Sequence, residues 1–174
     1  MAMRTDEIIK LDGYGTVSAW RPGALQALMR AGHALYEAMK LAKPAHIRKT
    51  HNLITTLGLS QIMAVFAGDD TGPAYHAIGT GATATAIGDT TLTTEVSRRA
   101  VTSKIASGAT LSVATFFPIA NCTYDIAESG LFCGATASAS VDTGVLITHY
   151  LQAYDNSAGD YDLTFEWVLT ISRV

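Results

Sequence analysis

The sequence predicts an α+β protein in which an N-terminal helical arm is followed by a mainly antiparallel β-sandwich. Two observations carry this prediction. Apolar residues at helical spacing are concentrated before residue 70, whereas the rest of the chain alternates apolar and polar residues with the period of two that strands require. The segment GDDTGP at 68–73 is rich in turn-forming residues and separates the two patterns. We therefore predict a helical arm over residues 1–70 and a β-sandwich domain over residues 71–174.

The composition favours an assembly protein. Charged residues make up 16% of the 174 residues, and hydrophobic residues make up 48%. Average soluble domains are about 25% charged, so we expect part of the surface to be covered by a partner. A net charge of −3 argues against nucleic acid as that partner, because phosphate binding needs a dense basic surface. No apolar run approaches the roughly 18 residues of a membrane span, and residues 1–10 lack a signal-like apolar core, so we expect no membrane partner and synthesis in the cytoplasm.

The clearest helix signal runs from Pro22 to Ala42. Proline is tolerated in a first helical turn, where its missing N–H costs no hydrogen bond, and Pro44 ends the pattern. An apolar stripe with spacings of three and four lies between them. The stripe either packs on the β-sandwich of the same chain or docks on a neighbouring subunit. The second alternative makes its residues a candidate assembly interface: Leu25, Leu28, Met29, Leu35, Tyr36 and Met39.

The other elements before residue 70 have weaker signals. Residues 5–20 predict a turn-rich lead-in with one or two short strands, and residues 45–54 predict a strand. A second helix is predicted over Gly58–Ala67, with Ser60 as its N-cap. Its apolar face would consist of Leu59, Ile62, Met63 and Phe66.

Four strands are predicted after the central stretch, over 110–117, 124–132, 144–154 and 161–174. The last has the cleanest alternation, in which Phe165 and Trp167 lie on the core face and Glu166 on the other. Several short strands separated by glycine, serine and threonine turns are typical of a β-sandwich.

The glycines between 79 and 84 match a dinucleotide-binding fingerprint, with Gly79, Gly81 and Ala84 at the required spacing. That fingerprint needs a helix to begin within it, because the helix N-terminus holds the pyrophosphate. Residues 85–88 are a poor helix start, and no acidic residue follows about 20 positions later to bind a ribose. We therefore predict a strand that leaves its sheet through a glycine turn, and no cofactor.

No arrangement of catalytic or metal-binding residues is apparent. The five histidines lie in different elements without metal-ligand spacing, although His51, His76 and His149 could meet in space. Asp125 and Glu128, three apart on a predicted strand, point to opposite faces and cannot act as a carboxylate pair unless the strand contains a bulge. We predict neither a metal site nor an enzyme.

The two cysteines are predicted to be free and buried. If the segment between Cys122 and Cys133 is extended, its ends lie roughly 30 Å apart, which is beyond the reach of a disulfide.

Three segments together resemble a group of tailed-phage virion structural proteins. Residues 78–92, IGTGATATAIGDTTL, are similar to a GTG…DTxL signature of that group. Ala120-Asn121 followed by IAESGLF at 126–132 resembles its E-A-N…I-x-E-x-G-L-F segment, with Ile119 in place of the acid, and LTFEWVLTI at 163–171 resembles its closing strand. The resemblance covers about residues 50–174.

The resemblance implies a β-sandwich component of the phage head, neck, tail or fibre. We expect a homotrimer that decorates or cements the capsid or the head–tail connector, located in the virion and in contact with the major capsid or connector protein. The alternative is a tail-fibre or baseplate adhesin that binds host surface carbohydrate. Sugars stack on aromatic rings, and Tyr150, Tyr154 and Tyr161, which cluster around one turn, are the candidate contacts.

Overall fold

A computed structural model describes residues 9–173, and these residues form an α+β fold that is mainly an antiparallel β-sandwich. Sheet A has five strands in the order β2-β1-β10-β7-β6. Every neighbouring pair in it is antiparallel. Its strands are β1 (Ile9–Trp20), β2 (His46–His51), β6 (Ser103–Ser107), β7 (Thr110–Phe117) and β10 (Asp162–Arg173).

Sheet B also has five strands, in the order β3-β9-β8-β4-β5, and it packs face to face on sheet A. Its strands are β3 (Leu53–Ile54), β4 (Pro73–Gly79), β5 (Glu95–Ala100), β8 (Asp125–Cys133) and β9 (Val145–Asp155). Three α-helices accompany the sheets: α1 (Ala24–Arg30), α2 (Leu35–Leu41) and α3 (Thr56–Ala67).

The core lies between the two sheets, and the predicted alternation of β10 is confirmed. Phe165 packs with Ile78 and Ile126 of sheet B, and Trp167, only 1% exposed, packs with Leu131 of the same sheet. The strands predicted over 110–117, 124–132, 144–154 and 161–174 correspond to β7, β8, β9 and β10.

The described part of the predicted turn-rich lead-in is instead a long strand in sheet A; residues 1–8 lie outside the described residues. β1 pairs with β10 from Ile9 opposite Arg173 to Trp20 opposite Asp162. Gly15, within the predicted turn-rich segment, lies on the inner face of this strand, where a Cβ atom would overlap the ring of Tyr150. Because residues 9–54 supply strands to both sheets, the predicted boundary at residue 70 does not separate a helical arm from the sandwich.

The predicted long helix is two short helices, α1 and α2, which pack on each other. Gly32, between them, has φ of +97°, a left-handed conformation that ends helices and that glycine adopts without strain. The spacing of the apolar residues continues across the break, which is why the sequence resembles one helix.

The predicted assembly interface is used within the chain. The stripe on α1 and α2 packs on the outer face of sheet A, where it covers Trp20, Ala114 and Phe116. Leu25 is fully buried and Leu35 is 3% exposed. The remaining members are partly buried in the same cluster: Leu28, Met29, Tyr36 and Met39. Of the two alternatives, the stripe follows the first and packs on the sandwich of its own chain.

Helix α3 begins two residues before the predicted start. Its N-cap is Thr55 rather than Ser60, because the Thr55 hydroxyl accepts a hydrogen bond from the Gly58 N–H at 2.9 Å. Most of its predicted apolar face points to solvent instead of the core. We call the exposed residues of this face the α3 surface: Leu59, Met63 and Phe66, which are 46%, 57% and 69% exposed.

Candidate functional site

The loop of residues 80–94, which contains most of the GTG…DTTL segment, covers the outer face of sheet B. A hydrogen bond from the Thr80 N–H to the Thr94 carbonyl closes the loop at 3.0 Å. Leu92 inserts into a small apolar cluster with Phe132 and Leu146 and is 4% exposed. The strand predicted before this loop is confirmed as β4, which ends at Gly79.

A fully buried carboxylate, that of Glu128 on β8, holds this loop in place. It accepts hydrogen bonds from the backbone N–H groups of Gly81 at 3.1 Å, Thr93 at 2.9 Å and Thr94 at 2.7 Å. A Cβ atom at Gly79 or Gly81 would lie 2.5 Å from Glu128 Oε1. The glycines of the GTG motif therefore let the backbone approach a carboxylate of the same chain.

His149 on β9 joins Glu128 to a second acid, Asp89, in the loop. His149 Nε2 lies 2.9 Å from Glu128 Oε2, and His149 Nδ1 lies 2.6 Å from Asp89 Oδ2. The imidazole ring of His149 therefore bridges the two acids through its two nitrogens. Burial of Asp89 would raise the pKa of its carboxyl, but the hydrogen bonds from the Ala86 N–H and His149 outweigh that effect and hold the pKa below its ordinary value.

We refer to these three side chains as the Asp89–His149–Glu128 cluster. Its carboxylates are occupied by backbone N–H groups and by the imidazole, and His149 is 2% exposed. The cluster therefore ties the loop to sheet B.

A bulge in β8 explains why the alternation of the sequence does not reveal this cluster. Strict alternation places Ile126 and Glu128 on one face, but the register shifts between them. Ile126 points into the core, whereas Glu128 points to the outer face under the loop. One signal in the sequence could have revealed the cluster: Glu128 is an acid within an otherwise apolar strand. A buried charge requires partners.

The three histidines considered together do not meet. His76 lies in the core, with Nε2 2.9 Å from Ser129 Oγ and 3.0 Å from the Tyr150 hydroxyl. Burial lowers the pKa of His76 to about 3, so the ring is neutral. His51 is exposed on β2, with its ring 4.5 Å from that of Tyr14. Within the described residues, no group of three or more His, Cys, Asp or Glu side chains is placed to hold a metal ion.

Both cysteines are free and buried, as predicted. Burial is the main cause that raises the pKa of the Cys122 and Cys133 thiols to about 12. The thiolate is the reactive form of cysteine, so both side chains serve as small apolar core residues.

The aromatic residues considered as sugar contacts are not exposed together. Tyr150 is 1% exposed beneath β1. Tyr154 and Tyr161 pack against the inter-sheet core, and the Tyr161 ring lies 5.3 Å from that of His46. These three side chains form no open stacking platform.

An apolar groove of about 500 Å³ lies between α3 and sheet A. Helix α3 contributes Ile62 and Val65 to its wall, and sheet A contributes Leu111, Leu169 and Ile171. Phe66 also lines it, so the groove is continuous with the α3 surface.

Among residues 9–173, no helix has the length and hydrophobicity needed to span a membrane.

Two of the segments that resemble phage virion proteins thus form one structural unit. The loop of residues 80–94 supplies the N–H donors. The segment IAESGLF supplies Glu128, which accepts their hydrogen bonds, and Phe132, which packs on Leu92. The third segment is β10 in the opposite sheet. Comparisons of this chain with protein-family models, with curated proteins and with solved structures return no match.

Proposed function

We propose that this chain is a non-enzymatic structural subunit of a tailed-phage virion that decorates or cements the capsid or the head–tail connector. The observation that carries the proposal is the exposure of an apolar stripe on α3. Three of its residues, Leu59, Met63 and Phe66, are between 46% and 69% exposed. Large apolar side chains gathered on one surface mark an interaction site more often than scattered ones do.

The low charge of the chain supports the same role. Helix α3 contains no Asp, Glu, Lys, Arg or His. Covering an uncharged apolar helix face with another protein surface is favourable, because apolar area is removed from water. No charged group has to be dehydrated in the process. A subunit that is permanently covered in a particle can carry such a face.

The chemistry of the polar residues also supports a structural role. The Asp89–His149–Glu128 cluster ties down a loop, and His76 with Ser129 lies closed between the sheets. None of these side chains lines the groove, whose lining is almost entirely apolar. An adhesin that binds carbohydrate is the weaker candidate, since the tyrosines that would stack on a sugar are packed against the core.

Quantitative mass spectrometry of purified virions tests this proposal. Capsid decoration requires hundreds of copies of the chain per particle, whereas a connector position requires a dozen or fewer. Absence of the chain from density-purified particles, with its presence in the infected-cell lysate, would contradict a virion role.

A further inference from the structure

The segment of residues 40–51 concentrates positive charge on a chain whose net charge is −3. It contains four of the 12 Lys and Arg residues and none of the 15 Asp and Glu residues. All four cations are exposed: Lys40, Lys43, Arg48 and Lys49. Within residues 9–173, no carboxylate lies within salt-bridge distance of any of them. The segment therefore presents positive charge that the described part of the chain does not neutralise.

The same segment contains β2, which is an edge strand of sheet A. β1 pairs with one side of β2, and no strand of residues 9–173 pairs with the other side. Just after β2, the Asn52 N–H donates a hydrogen bond to the Gly13 carbonyl of β1 at 3.3 Å. Main-chain groups of successive residues point to opposite sides of a strand, so those of Ile47 and Lys49 point away from β1. β2 therefore offers N–H donors and C=O acceptors to another strand.

The side chains of β2 set the chemistry of a strand that pairs with it. Ile47 and Lys49 lie two residues apart and share one face; Ile47 is 65% exposed, and Lys49 Nζ lies 4.1 Å from the centroid of the Tyr14 ring. Arg48 lies on the other face, where its guanidinium donates a hydrogen bond to the Ala153 carbonyl of β9. Side chains directly opposite each other on neighbouring strands interact, and opposite charges there are favourable. A pairing strand should therefore carry an apolar side chain beside Ile47 and acids beside Arg48 and Lys49.

From this arrangement we infer that β2 binds an acidic, extended segment of another polypeptide, which joins sheet A as a sixth strand. In such strand addition, main-chain hydrogen bonds supply affinity, and the side chains on alternate positions supply specificity. The inference rests on the proposed function, because it names the chemistry of a partner for the structural subunit.

Two other occupants fit this edge less well. Nucleic acid is also negatively charged, but phosphates do not supply the alternating donors and acceptors that pair with a strand edge. A second copy of β2 would bring Arg48 and Lys49 close to their own copies, and like charges on neighbouring strands are unfavourable. Lysine on an edge strand discourages unwanted pairing in general. The same charge that repels basic strands therefore selects an acidic one.

A synthetic peptide tests the inference with the full chain. The probe is fluorescein-labelled Thr-Val-Glu-Glu-Glu-Val-Thr, which is long enough to span the six residues of β2. Its symmetric sequence can place valine beside Ile47 and glutamates beside Arg48 and Lys49 in either strand direction. Fluorescence anisotropy, with the protein at about 10 µM to 1 mM, should show saturable binding that weakens as salt is raised. Hydrogen exchange of the Ile47 and Lys49 amides should slow when the peptide is bound.

Two changes to the peptide separate charge from strand pairing. Glutamine in place of each glutamate should weaken binding about tenfold or more, since the charged pairs are lost. Methylation of alternate main-chain nitrogens should abolish binding, because it removes donors and blocks the pairing edge. Binding that survives this methylation would contradict the addition of a strand.

Lys49→Glu should weaken binding of the unmodified peptide about tenfold, because an attractive pair becomes a repulsive one. The matched control is Lys104→Glu on β6, the opposite edge of sheet A, which should bind like the wild type. Circular dichroism spectra that match the wild type establish that both variants are folded. No binding to the wild type over the whole range would overturn the inference, as would equal binding by folded Lys49→Glu protein.

A competition experiment distinguishes a polypeptide partner from nucleic acid. Single-stranded oligothymidylate that displaces the peptide at lower concentration than unlabelled peptide does would overturn the assignment to an acidic strand. The proposed function is judged separately, by the virion measurement. A chain found in virions that binds no peptide keeps the structural role and loses this contact, whereas a peptide-binding chain absent from virions does the reverse.

Discussion

Replacing Glu128 with alanine should destabilise the protein more than most single substitutions. The change leaves the N–H groups of Gly81, Thr93 and Thr94 without their acceptor and leaves the ring of His149 with one carboxylate neighbour. Removing one member of a buried charge network costs about 3–5 kcal/mol. Because domains are stable by only about 5–15 kcal/mol, we expect a folded but marginal variant.

Glu128→Gln separates the charge from the shape. Glutamine keeps one carbonyl oxygen, which can still accept from Gly81 and Thr94, but its NH₂ group then faces the N–H of Thr93. A neutral His149 can accept a hydrogen bond from that NH₂ group, so the main loss is one unpaired backbone donor. Such a group costs about 1–3 kcal/mol, and the variant should fall between the wild type and Glu128→Ala.

Urea unfolding measures the free energies, and hydrogen exchange of the Gly81, Thr93 and Thr94 amides reports the loop directly. The matched control is Asp125→Ala, which removes an exposed acid from the same strand and should change the stability by less than about 0.5 kcal/mol. If Glu128→Ala and Asp125→Ala destabilise equally, or if the loop amides remain protected in Glu128→Ala, then Glu128 does not hold the loop.

Three further predictions follow from burial and pairing. Burial holds the pKa of His76 at about 3, against 6.5 when unfolded, so the contribution of His76 to stability is fully present above pH 6.5 and should fall by about 1.4 kcal/mol per pH unit as the pH drops from about 6 to 4. His76→Gln should remove that contribution from the slope, and an unchanged slope would be evidence against the assignment. Cys122 and Cys133 should resist alkylation until urea unfolds the chain; rapid labelling of the native protein would show that they are accessible. Deleting residues 1–20 should abolish folding, because β1 pairs with β10 along its whole length; a soluble product with a cooperative unfolding transition would refute this.

The strands of the C-terminal half could be predicted because their signal is local. Alternation along β10 placed Phe165 and Trp167 on the core face, and both are buried there. The turn chemistry at 68–73 was likewise visible, and Gly68 ends α3 in the left-handed conformation, with φ of +79°. Periodicity and turn preferences depend on a few neighbouring residues, so one sequence suffices to detect them.

The N-terminal part was misjudged where a local signal has two structural meanings. Gly15 is equally compatible with a turn and with a strand that must accept a large ring from the facing sheet, and only the position of Tyr150 decides between them. Similarly, an apolar stripe on α1 and α2 indicates that this helix face is covered, but it does not indicate which part of the molecule covers it. Its partner is the outer face of sheet A, formed by strands far along the chain.

The sequence alone determined the mainly β architecture, the strand phase around Trp167, and the free, buried state of Cys122 and Cys133. Only the tertiary structure decided what the GTG loop contacts, because a bulge in β8 turns Glu128 to the outer face and the N–H donors lie between 34 and 47 residues away. It also decided that the stripe of α3 is exposed while that of α1 and α2 is buried. The physical reason is the same in both cases: hydrogen bonds and apolar contacts between distant segments depend on how the sheets pack, and local patterns do not encode that packing.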